Sequence, residues 1–184
     1  MKNIKLIVAT LALIFATTFA AQAQAPYKNG FGVSVGNMQA LTFKTFGGNH
    51  FAFQLDLGTK VVTPNGLYRK NVGFEGLTFW DLELNPNFMF EGHFAKGLYG
   101  MFGLGLSIGY CWNDVSYPTW IGFLRTRYDL GKCGANGIFG LEYKFKAPVA
   151  LQFDFRPGYG CLFADNVDIH YFDWSVNLGV RYTF

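Results

Sequence analysis

Apolar residues fall on every second position through most of this chain, and the spacing predicts strands. "FGVSVG" sets Phe31, Val33 and Val35 against Gly32, Ser34 and Gly36, and "ALTFKTF" sets Leu41 and Phe43 against Lys44. Successive side chains of a strand point to opposite faces, so each such stretch has one apolar and one polar face. "FAFQLDLG" repeats the pattern with Phe51, Phe53, Leu55 and Leu57 opposite Gln54 and Asp56. "WDLELNPNFMFEGHF" sets Trp80, Leu82, Leu84, Phe88, Phe90 and Phe94 against Asp81, Glu83, Asn85, Asn87, Glu91 and His93. "LYGMFGLGLSIGYCW" puts its large apolar residues opposite Gly103, Gly105, Ser107 and Gly109. "GIFGLEYKF", "VALQFDFR" and the closing "FDWSVNLGVRYTF" complete a set of eight strands, with no convincing helical stretch between them.

Turn signals order those strands. "GGNH", "FAKG" and "KFKAP" are short connections; they alternate with a tight "GNMQ" and three long segments, Val62 to Phe79, Asn113 to Gly134 and Pro157 to His170. Short turns on one rim and longer loops on the other are the layout of an eight-stranded antiparallel transmembrane β-barrel, an all-β fold. Pro86 lacks an amide donor and is expected to mark a bulge or the start of pairing. The first two strands are short for a membrane span of about 9–11 residues.

Size decides which face is inside. An eight-stranded barrel is just wide enough to be filled by side chains, and Phe, Leu and Trp at every inward position would overfill it. The apolar row is therefore expected to face lipid, and the row of Gly, Ser, Asn and charges to fill the lumen. That lumen row includes Lys44, Asp56, Lys60, Asp81, Glu83, Glu91, His93, Glu142, Lys144, Asp154, Arg156, Asp173 and Arg181, which should pair because an unpaired buried charge is expensive. Trp80, Trp112 and Trp174 near the long-loop ends, and Phe94, Phe145, Tyr182 and Phe184 near the short-turn ends, form the two expected aromatic girdles.

Composition adds an address. Residues 1–23 have Lys2 and Lys5, an apolar run, and the small-x-small site Ala21-Gln22-Ala23, the pattern of a cleaved secretory signal peptide. Residues 24–184 then form one barrel domain. Lys2 and Lys5 leave with the leader, so 13 basic residues face 12 acidic ones, a net charge of +1 that implies no nucleic-acid partner. With 21 Phe, 10 Tyr and 4 Trp, the chain is richer in aromatics than a soluble exported domain usually is. Cys111, Cys133 and Cys161 match no metal motif, and an odd count cannot be fully paired. Cys111 shares parity with the interior row and Cys133 with the lipid row, which argues against a simple bridge between those two.

"ALTFKTFGGNHFAFQLDLG", "GIFGLEYKFKAPVALQFDFRPGYG" and "NLGVRYTF" resemble the small OmpX/OmpA-like, porin-like outer-membrane β-barrel family of Gram-negative bacteria. The most specific element is the final strand, where Asn177, Gly179, Tyr182 and Phe184 match the family's polar-x-Gly-x-x-aromatic-x-aromatic signal. The resemblance implies recognition by the barrel-assembly machinery, insertion in the cell outer membrane, contact with its lipids including lipopolysaccharide, and a monomer. It implies no cofactor and no particular activity, since fold does not fix function.

Some barrels of this size modify lipid A, but the residues that chemistry needs do not come together in this sequence. The best His/Ser candidate, His170 and Ser175, lies five residues apart on one strand, so the two side chains point to opposite faces and cannot converge. The deacylase His-x-Ser-Asn pattern and the amphipathic helix that opens the palmitoyltransferases are both absent from the sequence. His50 sits in a turn and His93 near the short-turn rim, both read as structural. Arg69, Lys70, Arg125, Arg127 and Lys132 are placed in long loops near lipid phosphates, but acidic residues in the same loops favour a mixed surface. Tyr117, Trp120, Phe123, Tyr159 and Phe163 are aromatic loop residues open to a partner. The expected role is structural or in surface interaction, without catalysis. A lipid A-modifying enzyme, a narrow channel and a small hydrophobic-ligand barrel are the alternatives.

Overall fold

The alternating stretches become one ring of paired backbone. The computed structural model describes residues 25–62, 66–70, 78–119, 122–165 and 167–184, with backbone alone for 66–70, 115–119, 122–126 and 167. The leader expected at 1–23 lies outside the described residues. Nine strands follow: β1 Asn29–Gly36, β2 Met38–Phe46, β3 Phe51–Val62, β4 Gly66–Lys70, β5 Phe79–Ala95, β6 Leu98–Thr119, β7 Gly122–Lys144, β8 Val149–Ala164 and β9 Val167–Thr183. Eight of them pair antiparallel in the order β1-β2-β3-β5-β6-β7-β8-β9, and β1 returns to β9 to close the ring. At the seam, Phe31 lies opposite Tyr182 and Val33 opposite Val180. Asn29 and Phe184 exchange main-chain hydrogen bonds of 2.9 and 2.8 Å, so pairing reaches the last residue.

Closure needs a stagger between first and last strands. Direct partners trace it: Val180, Val33, Leu41, Leu57, Leu84, Ile108, Cys133, Cys161 and then His170. One circuit thus returns to β9 ten residues from its start. The stagger leaves the upper half of β9 unpaired by the short β1. β4 fills that edge, with Tyr68 opposite His170 and Lys70 opposite Asp168.

Two of the three expected long loops are strand. β6 and β7 stay paired to Thr119 opposite Gly122, and β8 and β9 to Ala164 opposite Val167. Asn113–Gly134 and Pro157–His170, expected as connections, are therefore largely continuations of paired strands. In "GKCGANG", residues 131–137, the apolar alternation fades because small residues occupy both faces, yet the backbone ladder does not need it. The Val62–Phe79 connection contains β4, and most of its remainder lies outside the described residues.

Pro86 produces neither a bulge nor a strand start. It sits inside β5 opposite Leu55, and the β5–β6 ladder skips Asn85 and Pro86 without changing register, from Leu84 opposite Ile108 to Asn87 opposite Gly105. Pro157 does the same: it pairs with Trp174 on β9, while the ladder to β7 skips from Asn136 opposite Gly158 to Phe139 opposite Phe155. A residue without an N–H costs one ladder bond on one side, and the long strands tolerate the gap. The first two strands are indeed short, at 8 and 9 residues. Lys96-Gly97 turns β5 into β6, and Gly97 has φ +76°, a conformation glycine adopts without the usual Cβ penalty.

The ring has inverted polarity. Leu104 is 73% exposed on the outside, while Lys44 and Asp56 are fully buried inside. The lumen is layered. Next to the short turns, Phe46, Ala52, Met89, Met101 and Ile138 form an apolar plug, joined by Ala25 and Tyr27, whose ring meets Phe46 edge-on at 5.1 Å. Toward the opposite end, Val62, Phe79, Cys111, Leu130, Leu162, Ile169 and Tyr171 form a second apolar layer. The buried charges fill the space between the two and reach into the short-turn layer, where Glu91 lies opposite Met101.

Candidate functional site

The lumen charges come from inward positions of six strands and gather into three connected groups. Near the short-turn plug, Lys44 on β2 meets Glu91 on β5 and donates to Glu142 on β7 at 2.8 Å. Arg181 on β9 donates to the same Glu142 at 2.9 Å, to Thr42 at 2.9 Å and to Gln152 at 2.5 Å. In the middle, Arg156 on β8 bridges two carboxylates, Asp154 at 2.6 Å and Asp56 of β3 at 2.7 Å. Gln54 and Asn87 also donate to Asp56, and Gln152 and Asn177 to Asp154. A buried carboxylate with several donors is the condition under which burial is tolerable.

The third group centres on Lys132 of β7. Its ammonium contacts Asp81 at 2.5 Å, Asp173 at 3.4 Å and, closer still, Glu83. Lys60 of β3 shares two of those acids, Asp173 at 2.7 Å and Glu83 at 3.6 Å. Space for these side chains comes from the inward small residues of β6. A Cβ on Gly105 would lie 2.2 Å from Asn87 Oδ1, and one on Gly109 would lie 2.8 Å from Asp81 Oδ1. Little room is left: a cavity of about 20 Å³ bordered by Met38, Lys60, Glu83, Asn85, Ser107 and Arg156 holds roughly one water.

Two assignments are corrected by this arrangement. Lys132 is not a loop residue facing solvent; it is 1% exposed at the centre of an ion cluster. Lys144 has inward parity but sits at the last residue of β7, where its ammonium donates to the Phe145 and Ala147 carbonyls of the turn. Parity sets the face of a side chain but not its depth along the ring axis, so Lys144 lies outside the lumen network. His93 also stays near the short-turn rim, edge-on to Tyr99 at 5.3 Å. His50 stacks on Phe90 at 5.0 Å.

Outside the ring, Trp80 and Trp174 are 57% and 50% exposed, and Trp112 stacks on Tyr110 at 5.9 Å. Phe94, Phe145, Tyr182 and Phe184 are exposed at the other end. In the final strand, Asn177 turns inward to Asp154 and Ser175, both at 3.1 Å, while Tyr182 and Phe184 stack outside at 6.2 Å. Gly179 faces inward between Ser34 and Gln152. His170 lies on the outer face and Ser175 is buried in the lumen, so these two do not meet. Arg127 is exposed and pairs with Asp129 at 2.8 Å. Tyr159 and Phe163 are outward on β8; Trp120, and the side chains of Arg69, Lys70, Tyr117, Phe123 and Arg125, lie outside the described residues.

Sequence reasoning missed the two apolar layers. The signal is present, since Met89, Met101 and Ile138 share the parity of Glu91, Gly103 and Gly140, but it is outnumbered by the Gly, Ser, Asn and charges of the same row. Among the described residues no helix is long and apolar enough to cross a membrane, which says nothing of crossing by strands. No protein-family model, curated protein or solved structure matches this chain.

Proposed function

We propose that this chain is an integral outer-membrane β-barrel that seals its own lumen and holds paired strands beyond the bilayer for surface contact. One observation carries the reading: large apolar side chains face outward around the ring, from Phe31 and Leu41 to Phe153 and Val180, while Lys44, Lys132, Arg156 and Arg181 are buried within. Water as the surrounding solvent would favour the opposite distribution. Hydrocarbon favours this one, because the outward row is what an outer-membrane barrel presents to lipid.

The lumen supports a structural body. Its charges are paired, and apolar clusters pack inside the ring toward both ends. The extended β6–β7 and β8–β9 hairpins, with β4 added to β9, supply the surface for contact outside the cell. Export by a cleaved leader and delivery by the assembly machinery belong to the same proposal. The test is migration of membrane-extracted protein on a gel, unheated against boiled. A folded barrel shifts between the two states; identical migration would remove the reading.

A further inference from the structure

We propose that Cys161, Asp168 and His170 form a surface site for a divalent transition-metal ion of the Zn²⁺ class. Cys133 on β7, Cys161 on β8 and His170 on β9 are direct partners in three successive strands, so all three side chains share the outer face. Asp168 precedes His170 by two residues and shares that face. Asp168 Oδ1 lies 3.2 Å from Cys161 Sγ and 3.1 Å from His170 Nε2, and the three ligand atoms all lie within 4.8 Å of one another. Metal bonds of about 2.0–2.3 Å in a tetrahedron separate ligand atoms by roughly 3.3–3.8 Å, so only small rotamer changes are needed.

The donor set fits the ion. Thiolate, imidazole and carboxylate together suit zinc, whereas calcium and magnesium require oxygen ligands. Binding replaces the proton on Cys161 Sγ with the metal and releases that proton to solvent; one thiolate and one carboxylate then balance the divalent charge. The ligands stand on strands that remain paired to Ala164 opposite Val167, which holds them more rigidly than a loop would. Tyr159, two residues before Cys161, stacks on the His170 ring at 5.7 Å and orients it. The competing chemistry is a bridge between Cys133 and Cys161, which are both free thiols here. The inference rests on this strand geometry alone and stands whether or not the ring sits in a membrane.

The test is Co²⁺ titration of the full mature chain, folded in detergent with a phosphine reductant, followed by Zn²⁺ competition. A sulfur-to-cobalt charge-transfer band with tetrahedral visible bands, displaced by Zn²⁺, is expected. Cys161→Ser abolishes the charge-transfer band, and Asp168→Asn and His170→Ala each weaken Zn²⁺ binding by at least ~10-fold, a scale already reached by outer-shell losses. Cys111→Ser, altering the lumen-facing thiol, leaves it unchanged. Gel heat-shift of each variant confirms folding. Absence of the band, its persistence in Cys161→Ser, or wild-type affinity in both Asp168→Asn and His170→Ala would overturn the proposal. So would a Cys133–Cys161 disulfide in protein purified from membranes without reductant.

Discussion

Replacing Lys132 with methionine removes the cation at the centre of the upper charge cluster while keeping the length of the side chain. Glu83 and Asp173 retain Lys60, at 3.6 and 2.7 Å, but Asp81 loses the ammonium that now lies 2.5 Å away. Breaking a buried ion pair from one side costs about 3–5 kcal/mol. Lys60 moderates the loss for two of the three acids, which places the expected destabilisation near the lower end, ~3 kcal/mol, or about a hundredfold in the folding equilibrium. Urea titration of folding into detergent or lipid vesicles, read by tryptophan fluorescence, measures it. Adding Asp81→Asn removes the stranded charge and should recover a large part of the loss, giving a coupling energy of about 1–3 kcal/mol. Arg127→Met is the control: its pair with Asp129 is exposed, and stability should not change measurably. If Lys132→Met is as mild as Arg127→Met, Lys132 does not occupy the lumen and the layered interior is wrong.

Other substitutions probe the seam, a turn, an apolar layer and the lumen as a whole. Gly32→Val places a Cβ 1.9 Å from the Val180 carbonyl oxygen, so the β1–β9 seam should fail to close and the heat-shifted gel band should disappear. Gly97→Ala forces a φ of +76° on a residue with a Cβ, and should destabilise by about 1–2 kcal/mol in the same urea assay. Phe79→Ala empties the fully buried centre of one apolar layer; a loss of about 3–5 kcal/mol is expected, and a loss below ~1 kcal/mol would mean that layer is not packed. In planar bilayers the wild-type protein should give no discrete conductance steps, and regular steps would contradict a sealed lumen.

Alternation made the faces of the strands legible. It placed Lys44, Asp56, Glu83, Glu91, Glu142, Asp154, Arg156, Asp173 and Arg181 on one row, and the structure brings those side chains into the ring. It could not supply depth: Lys144 shares their parity yet ends at a turn, because period two carries no information along the strand axis. Lys132 was hidden for a different reason. Its neighbours Gly131, Cys133 and Gly134 carry no strong apolar signal, so the stretch reads as loop although main-chain pairing runs through it. The same gap concealed that Cys133 and Cys161 are direct partners, since their meeting depends on register counted from the turn at 145–148. β4 was invisible to patterning because its place is created by the stagger of the closed ring, which leaves the end of β9 without β1.

Solvent on the outward face is the central claim, and spin-label accessibility measures it most directly. Single nitroxides at Leu41, Leu104, Leu141 and Val180, in a background with the three native cysteines replaced and the protein folded into lipid vesicles, sample outward positions around the ring. The account predicts high collision rates with oxygen, which concentrates in hydrocarbon, and low rates with a water-soluble nickel chelate at all four. High nickel accessibility with low oxygen accessibility at these positions would show that the apolar row meets water, and would contradict it.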